Sequence, residues 1–173
     1  QSWLPGAPDA IYDHRYVFDE IGFNLKPLDL QAAIGRQQIK KLDYLDQARR
    51  DNFERMTKVF SPFADQLHLP VATEKADPSW FAYMMTVKEG ASFLREELVE
   101  HLEDNKIQTR SYFAGNILYH PGYQKIARKY GNLQKRFPVA HHVTFNSFFL
   151  GTFAGLTEEK INYIGETAKG FFE

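Results

Sequence analysis

A small α/β domain is predicted by three patterns in this 173-residue sequence. The first third carries a long helical period, short β-prone runs in the middle bracket a capped helix, and the chain closes on a capped amphipathic helix. Residues 1–20 contain Pro5, Gly6 and Pro8 and no apolar period, so an extended lead-in is expected there. Leu28, Ala32, Gly35, Ile39, Leu42, Leu45, Phe53, Met56 and Phe60 then recur at three- and four-residue steps, apart from a break near Arg49. This predicts one helix over residues 27–60, started by Pro27 and favoured by Asp29 near its positive end. Such a helix would reach about 50 Å at 1.5 Å per residue, more than a domain of this size needs for its own core. Part of it is expected to pack on a larger domain or a second subunit, and the bare chain is expected to self-associate through it.

After Ser61 and Pro62 the pattern turns to strands over residues 66–69 and 80–87, separated by a loop at 74–79. Trp80 and Phe81 are expected to pack in the core. Ser92 is expected to cap a helix carrying Phe93, Leu94, Leu98 and Leu102, stopped by Asp104 and Asn105. A strand ending near Arg110 follows, then a ring-rich structured loop over residues 109–123 containing Gly115, Pro121 and Gly122. A short helix is expected over residues 122–129 and a strand over 143–150. Thr157 caps the last helix, with Ile161, Ile164, Ala168 and Phe171 on its inner side.

Composition narrows the function. With 21 basic and 22 acidic side chains the net charge is -1, which gives no electrostatic attraction to nucleic acid or to an anionic membrane. No apolar run approaches the length of a membrane span. The absence of cysteine removes disulfides and thiolate-held metal from these residues and is compatible with the cytoplasm. There is no phosphate loop ending in Lys-Ser or Lys-Thr, no Gly-x-Ser-x-Gly elbow and no His-Glu-x-x-His helix. His141 and His142 are adjacent and do not converge on one face, which argues against a metal pair. Asp13 and His14 suit either an acid–base pair or loop hydrogen bonds.

Two regions can carry chemistry. Backbone N–H groups at a helix start, with the Asn24 amide just before them, suit either an ordinary cap or a bound phosphate. Arg110 can grip an oxygen pair through two parallel hydrogen bonds while Tyr112, Phe113, Tyr119 and Tyr123 cover a sugar or base face. The bland alternative is a surface ion pair over an apolar patch. Asn116 and His120 in the same loop can bind sugar hydroxyls or tie the loop to itself.

The run from Ile21 to Gly35, with Asp13-His14-Arg15-Tyr16, Asp77-Pro78-Ser79-Trp80-Phe81, the stretch from Ile107 to Asn116, and Gly155-Leu156-Thr157-Glu158-Glu159, resembles one known family. It is that of the nucleotide-sugar aminotransferases and dehydratases, fold-type I pyridoxal-phosphate enzymes, and most resembles the branch of CDP-4-keto-6-deoxyglucose 3-dehydrase. The resemblance spans almost the whole chain but only the C-terminal part of such an enzyme. It implies a small C-terminal domain over residues 21–173, with a long N-terminal helix and a mainly antiparallel sheet flanked by helices, led into by residues 1–20 from a larger domain. It implies pyridoxal or pyridoxamine 5′-phosphate in the full-length enzyme, whose amine condenses with a 4-ketosugar before a base takes a proton and the C3 hydroxyl leaves.

The cofactor-anchoring residue, His in the dehydrases and Lys in the aminotransferases, belongs to the larger domain, so no catalytic residue is assigned here. Asn24 matches the family asparagine that reaches across a homodimer to the cofactor phosphate. Arg110, Tyr112, Phe113, Asn116 and His120 are implied as substrate contacts for a nucleotide-ketosugar of deoxysugar or lipopolysaccharide synthesis. Lys26 stands where many aminotransferases have Arg, replacing a fork by a point charge. The segment from Gly151 to Gly155 matches the family's Gly-x-Tyr-Pro-Gly loosely. The branch also implies an iron–sulfur cluster held upstream and a flavin or iron–sulfur reductase partner. An aminotransferase and a non-catalytic dimerisation or ligand-binding module are the alternatives.

Overall fold

The computed structural model describes Phe23, Leu25 and residues 27–173, which fall in two units that part between Lys40 and Lys41. Asn24, Lys26 and the Asp13-His14 pair lie outside the described residues.

The first unit contributes one helix, α1 (Asp29–Ile39). Pro27 stands just before the cap and not inside the helix, because Leu28 is extended and is the N-cap residue. Gln31 folds back so that its Oε1 accepts the Leu28 N–H at 2.8 Å. No residue of α1 is buried within the chain, and Leu28, Leu30, Ile34 and Ile39 are all exposed.

The second unit starts with α2 (Leu42–Phe60). The single long helix read from the sequence is therefore two. Lys40 donates its N–H to Gln38 and Lys41 sits near φ −102°, ψ −1°, so the i to i−4 ladder is interrupted before Leu45 N–H restarts it on the Lys41 carbonyl. As expected, α2 ends at Ser61 and Pro62, which enter a 3₁₀ turn.

The sheet has β1 (Leu67–His68), β2 (Ala82–Val87), β3 (Arg110–Ser111) and β4 (Ser147–Gly151) in the order β1-β2-β4-β3, every neighbouring pair antiparallel. Alternation in β2 puts Tyr83, Met85 and Val87 in the core, opposite Leu150, Phe148 and Leu67. This face meets α2, α3 (Arg95–Asp104) and α7 (Glu158–Phe172), which supply Met56, Phe60, Leu98, Leu102, Ile161 and Ile164. Val59 of α2 lies 3.1 Å from where a Cβ on Gly165 would stand, so glycine sets the close approach of α2 and α7.

Thr157 caps α7 as predicted, its hydroxyl accepting the Lys160 N–H. Ser92 does not cap α3. Its N–H and hydroxyl both go to Gln66 Oε1, and the N-cap residue of α3 is Leu94, whose N–H is taken by Glu97. The end of α3 is a Schellman turn: Ile107 N–H returns to Leu102 O and Lys106 N–H to Glu103 O, with Lys106 at φ 62°.

Between β3 and β4 lie three 3₁₀ turns, α4 (Gln124–Ala127), α5 (Leu133–Arg136) and α6 (Pro138–Asn146). The strand read over 143–150 is helical as far as Asn146. Pro138 opens α6 at a position that tolerates a missing N–H, and Thr144 bonds back to the Ala140 carbonyl at 2.6 Å, so helix geometry overrides the β-prone composition.

Polar side chains tie the long connections to α2. Arg50 pairs with Asp46 and Asp77, Arg49 donates to the carbonyls of Trp80 and Phe81, and buried Asn52 donates to the Phe153 carbonyl at 3.0 Å. Trp80, expected in the core, is half-buried and stacks on Phe53 at 4.1 Å, at the margin of the core and not within it. Phe81 departs further from that expectation and is 63% exposed.

Candidate functional site

Arg110 opens β3 and does not end a strand, since residues 107–109 are the connector from α3. That connector is held by Glu103, whose carboxylate accepts both the N–H and the hydroxyl of Thr109, the latter at 2.8 Å. These bonds, with the nearby Arg110 charge, hold the Glu103 carboxyl below its usual range. A depressed carboxyl stabilises the fold above its unfolded pKa of about 4.3, and that stabilisation is lost as pH falls through the lower folded value. Glu103→Ala is therefore expected to lower the urea midpoint at neutral pH, by an amount that shrinks as the pH falls below about 4. An equal loss at all pH values would show that Glu103 acts by packing alone.

Antiparallel register sets Arg110 opposite Phe149 and Met84, on the face turned away from the core. Phe149 is the centre of an aromatic patch there. Phe81 lies 5.9 Å and Phe113 5.6 Å from it, ring centroid to centroid, and Tyr112 is 5.5 Å from Phe113. Phe81 and Phe113 offer most of their surface to solvent, which for two phenylalanines on one face marks a contact surface.

After Ser111 the chain turns sharply. Phe113 adopts φ 46° and Gly115 φ 55°, and a Cβ on Gly115 would come within 2.6 Å of Thr144 Oγ1. Only glycine allows the loop to approach α6 this closely. The same Thr144 hydroxyl accepts the Asn116 N–H at 2.8 Å. Asn116 caps the following turn through Leu118 N–H, and His120 Nε2 pairs with the Ala114 carbonyl at 2.7 Å, so both side chains hold the loop in shape. The Asn116 Nδ2 is buried and has no partner among the described residues.

Tyr119 turns inward. Its hydroxyl lies 2.7 Å from His141 Nδ1 and its ring meets Phe145 edge-on, which removes it from the set of rings that could cover a ligand.

Two hollows result. One of about 410 Å³ is walled by Tyr112, Phe113 and Gly115 on the loop and by Val139, Ala140 and Val143 of α6. The other, of about 420 Å³, lies where two-residue β3 leaves the end of β4 uncovered, and Arg110 borders it together with Lys106 and Lys160. The expected substrate loop is thus divided, with Tyr112 and Phe113 on the first hollow and Arg110 on the second. Sequence reading missed Thr144, Lys106 and Lys160. The only signal for Lys106 was its place just after the helix-ending Asn105.

Leu28 N–H is already taken by Gln31, and Asp29 puts a carboxylate in the first turn. This helix start alone does not form a phosphate cradle. Among the described residues no three His, Asp or Glu side chains group as a metal site requires, and no helix is long and apolar enough to cross a membrane.

A four-stranded antiparallel sheet backed by α2, α3 and α7 is the small domain of fold-type I pyridoxal-phosphate enzymes. The solved E. coli GDP-4-keto-6-deoxy-D-mannose-3-dehydratase with bound hydrated PLP matches it at TM-score 0.69 and 27% identity, over 90% of this chain and 39% of that one. Residues 6–169 match the model of the DegT/DnrJ/EryC1/StrS aminotransferase family, and the chain belongs to that family. Among curated proteins it is 38% identical to dTDP-4-dehydro-2,6-dideoxy-D-glucose 3-dehydratase of Saccharopolyspora spinosa, over 92% of this chain and 34% of the relative. It is 36% identical to the lipopolysaccharide biosynthesis protein RfbH of Salmonella typhimurium, over 93% of this chain and 36% of the relative. The chain spans about a third of the length of these two.

Proposed function

We propose that residues 21–173 are the C-terminal small domain of a nucleotide-4-ketosugar 3-dehydratase of deoxysugar or lipopolysaccharide synthesis in the cytoplasm, led into by residues 1–20 from a larger domain. The observation that carries this reading is the 38% identity, sustained over nine-tenths of the chain, to a relative named as a sugar 3-dehydratase. Pyridoxamine phosphate, held mainly by the larger domain, supplies the electron sink for loss of the C3 hydroxyl. This chain lends Asn24 to the cofactor phosphate of a second subunit, and Arg110, Tyr112, Phe113, Asn116 and His120 form a substrate wall. In that wall the exposed Phe113 ring meets the sugar, while Asn116 and His120 fix the loop.

A homodimer is supported by the apolar side chains of α1, of which Leu30, Ile34 and Ile39 are exposed among the described residues. The upstream reductase partner has no support in the described residues.

The test is to express the protein with its larger domain, load it with pyridoxamine phosphate and supply a nucleotide 4-keto-6-deoxysugar. Mass spectrometry is expected to find a product lacking the C3 hydroxyl. A 4-amino sugar formed with glutamate as donor would replace this reading by that of an aminotransferase. Asn24→Ala is expected to weaken cofactor binding about tenfold, one lost charge-assisted hydrogen bond. Unchanged affinity would remove Asn24 from the site.

A further inference from the structure

The net charge of -1 is the sum of two unlike parts. Residues 105–157 contain Lys106, Arg110, Lys125, Arg128, Lys129, Lys135 and Arg136 and no Asp or Glu, where a 53-residue stretch would hold about seven acids at the average of the chain. The remaining 120 residues carry 14 basic and 22 acidic side chains. Protein surfaces ordinarily intersperse the two signs, so an acid-free stretch of this length makes a local field that the sum conceals. Net charge therefore does not bar this surface from an anionic membrane.

Five of the seven cations cluster between β3 and α6. Pro121 to Tyr130 form one continuous run of 3₁₀ turn, α4 and 3₁₀ turn. Its inner side is set by Ala127, 7% exposed, and by Gln124, whose Nε2 donates to the Tyr119 carbonyl at 3.2 Å. Helical spacing puts Lys125 and Lys129 one turn apart on the side opposite Ala127, with Arg128 next to Lys129. Gly131 at φ 64° turns the chain toward α5, which carries Lys135 and Arg136. Tyr130 meets Phe137 edge-on at 5.4 Å between centroids and so ties the two helices together. All five cations are exposed, and none makes an ion pair among the described residues. Acids from the rest of the chain meet this stretch elsewhere, Glu103 at Thr109 and Arg110, and Glu89 at His142.

The same run also exposes apolar surface. Tyr123, Ile126 and Tyr130 recur at three- and four-residue steps along its flank and are 41%, 46% and 43% exposed. Two tyrosines and an isoleucine beside a cationic ridge match the chemistry of a bilayer interface, where basic side chains meet headgroup phosphates and amphipathic rings lie at headgroup depth. A folded acidic partner needs complementarity only at the five cations. A flat anionic surface also repels any acid held within a Debye length of it, and so accounts for the absence of acids from the wider stretch.

We propose that the ridge from Tyr123 to Arg136 is a peripheral contact for an anionic lipid surface. Lys125, Arg128, Lys129, Lys135 and Arg136 meet the headgroup phosphates, and Ile126 with the two tyrosines enters the interface. The contact is reversible and rests on the surface, since no helix among the described residues is long and apolar enough to span it. It goes beyond the enzymatic reading given above and does not depend on it.

The test sediments the protein, expressed with its larger domain, with vesicles of phosphatidylcholine and phosphatidylglycerol in equal parts, and with vesicles of phosphatidylcholine alone. Binding is expected to the first and not to the second, and it is expected to fall as salt is raised. Lys125→Gln combined with Lys129→Gln is expected to weaken partition about 25-fold, about fivefold for each cation lost from the surface, with melting temperature and turnover unchanged. The same change of charge at exposed Lys58 and Lys75, outside the ridge, is expected to leave partition within about twofold. Ile126→Trp is expected to gain a blue-shifted emission when the anionic vesicles are added. Equal binding to both kinds of vesicle, equal loss in the two double variants, or an unshifted emission from Ile126→Trp would each overturn the lipid contact. Binding of poly-aspartate or single-stranded DNA without binding of vesicles would also overturn it, and would make the ridge a dock for an acidic protein or for nucleic acid. Turnover of a nucleotide 4-ketosugar by the longer protein is read in a separate assay, so failure of one reading leaves the other standing.

Discussion

Phe60→Ala is expected to cost about 3–5 kcal/mol of folding stability, read as a shift of the urea midpoint with the slope unchanged. Phe60 is fully buried at the end of α2, where its ring stacks on Tyr83 of β2 at 5.8 Å within the shared core of helix and sheet. Removing it strips a whole ring from a close-packed site, and the loss is the transfer energy plus the cavity left between α2 and the sheet. A domain of this size has about 5–15 kcal/mol in all, so this one change takes a large part of it. Phe81→Ala supplies the contrast, because Phe81 is more than half exposed and its ring lies against Phe113 and Phe149 of the outer patch. Its cost is expected to stay below about 1 kcal/mol, the worth of an aromatic pair at a surface. Equal losses at the two positions would show that the outer patch belongs to the core.

Both residues read alike in the sequence, and the difference between them marks where sequence reasoning stops. Period and caps made the main elements legible. Thr157 starts α7, Asp104 and Asn105 end α3, and alternation from Ala82 to Val87 states which side of β2 is buried, because each of these is a local effect within a turn or two of chain. Phe81 stands one residue outside that strand, and its direction depends on Arg49 holding its carbonyl from α2, a contact across 32 positions.

The break at Lys40 and Lys41 has no proline or glycine to announce it. The helical state of residues 143–146 depends on Pro138 and on where β4 must begin in order to pair with β2. For the site, residue types around the loop after β3 were legible and their grouping was not. Arg110 and Phe113 lie three positions apart in the chain yet border different hollows, because Arg110 stays in β3 beside the end of β4 while the left-handed turn throws Phe113 toward α6.

Gly115→Ala is expected to lower kcat/KM of the longer protein, in the nucleotide-sugar assay of the proposed function, by about a hundredfold, the scale on which a displaced positioning loop acts. At φ 55° an alanine is strained, and its Cβ would press on three atoms of Thr144 between 2.6 and 2.9 Å. The Thr144 atoms belong to α6 and include its Cβ, so a change of rotamer does not clear the contact and the loop must lift. Lifting it stretches the Asn116 N–H bond to Thr144 and frees the turn that presents Phe113. The global fold should feel little, because no residue of the buried cluster lies between Ser111 and Asn146. The expected result is therefore a near-native urea midpoint, faster hydrogen exchange at the Asn116 amide, and a loss carried mainly by kcat/KM. Thr144→Ala keeps glycine at position 115 but removes the acceptor of the Asn116 N–H, and is expected to speed the same amide while leaving Phe113 its turn, with a smaller kinetic loss. If Gly115→Ala instead unfolded the domain and left the exchange of Asn116 tied to global opening, the loop would be part of the core's cooperative unit and would not be a separately positioned wall.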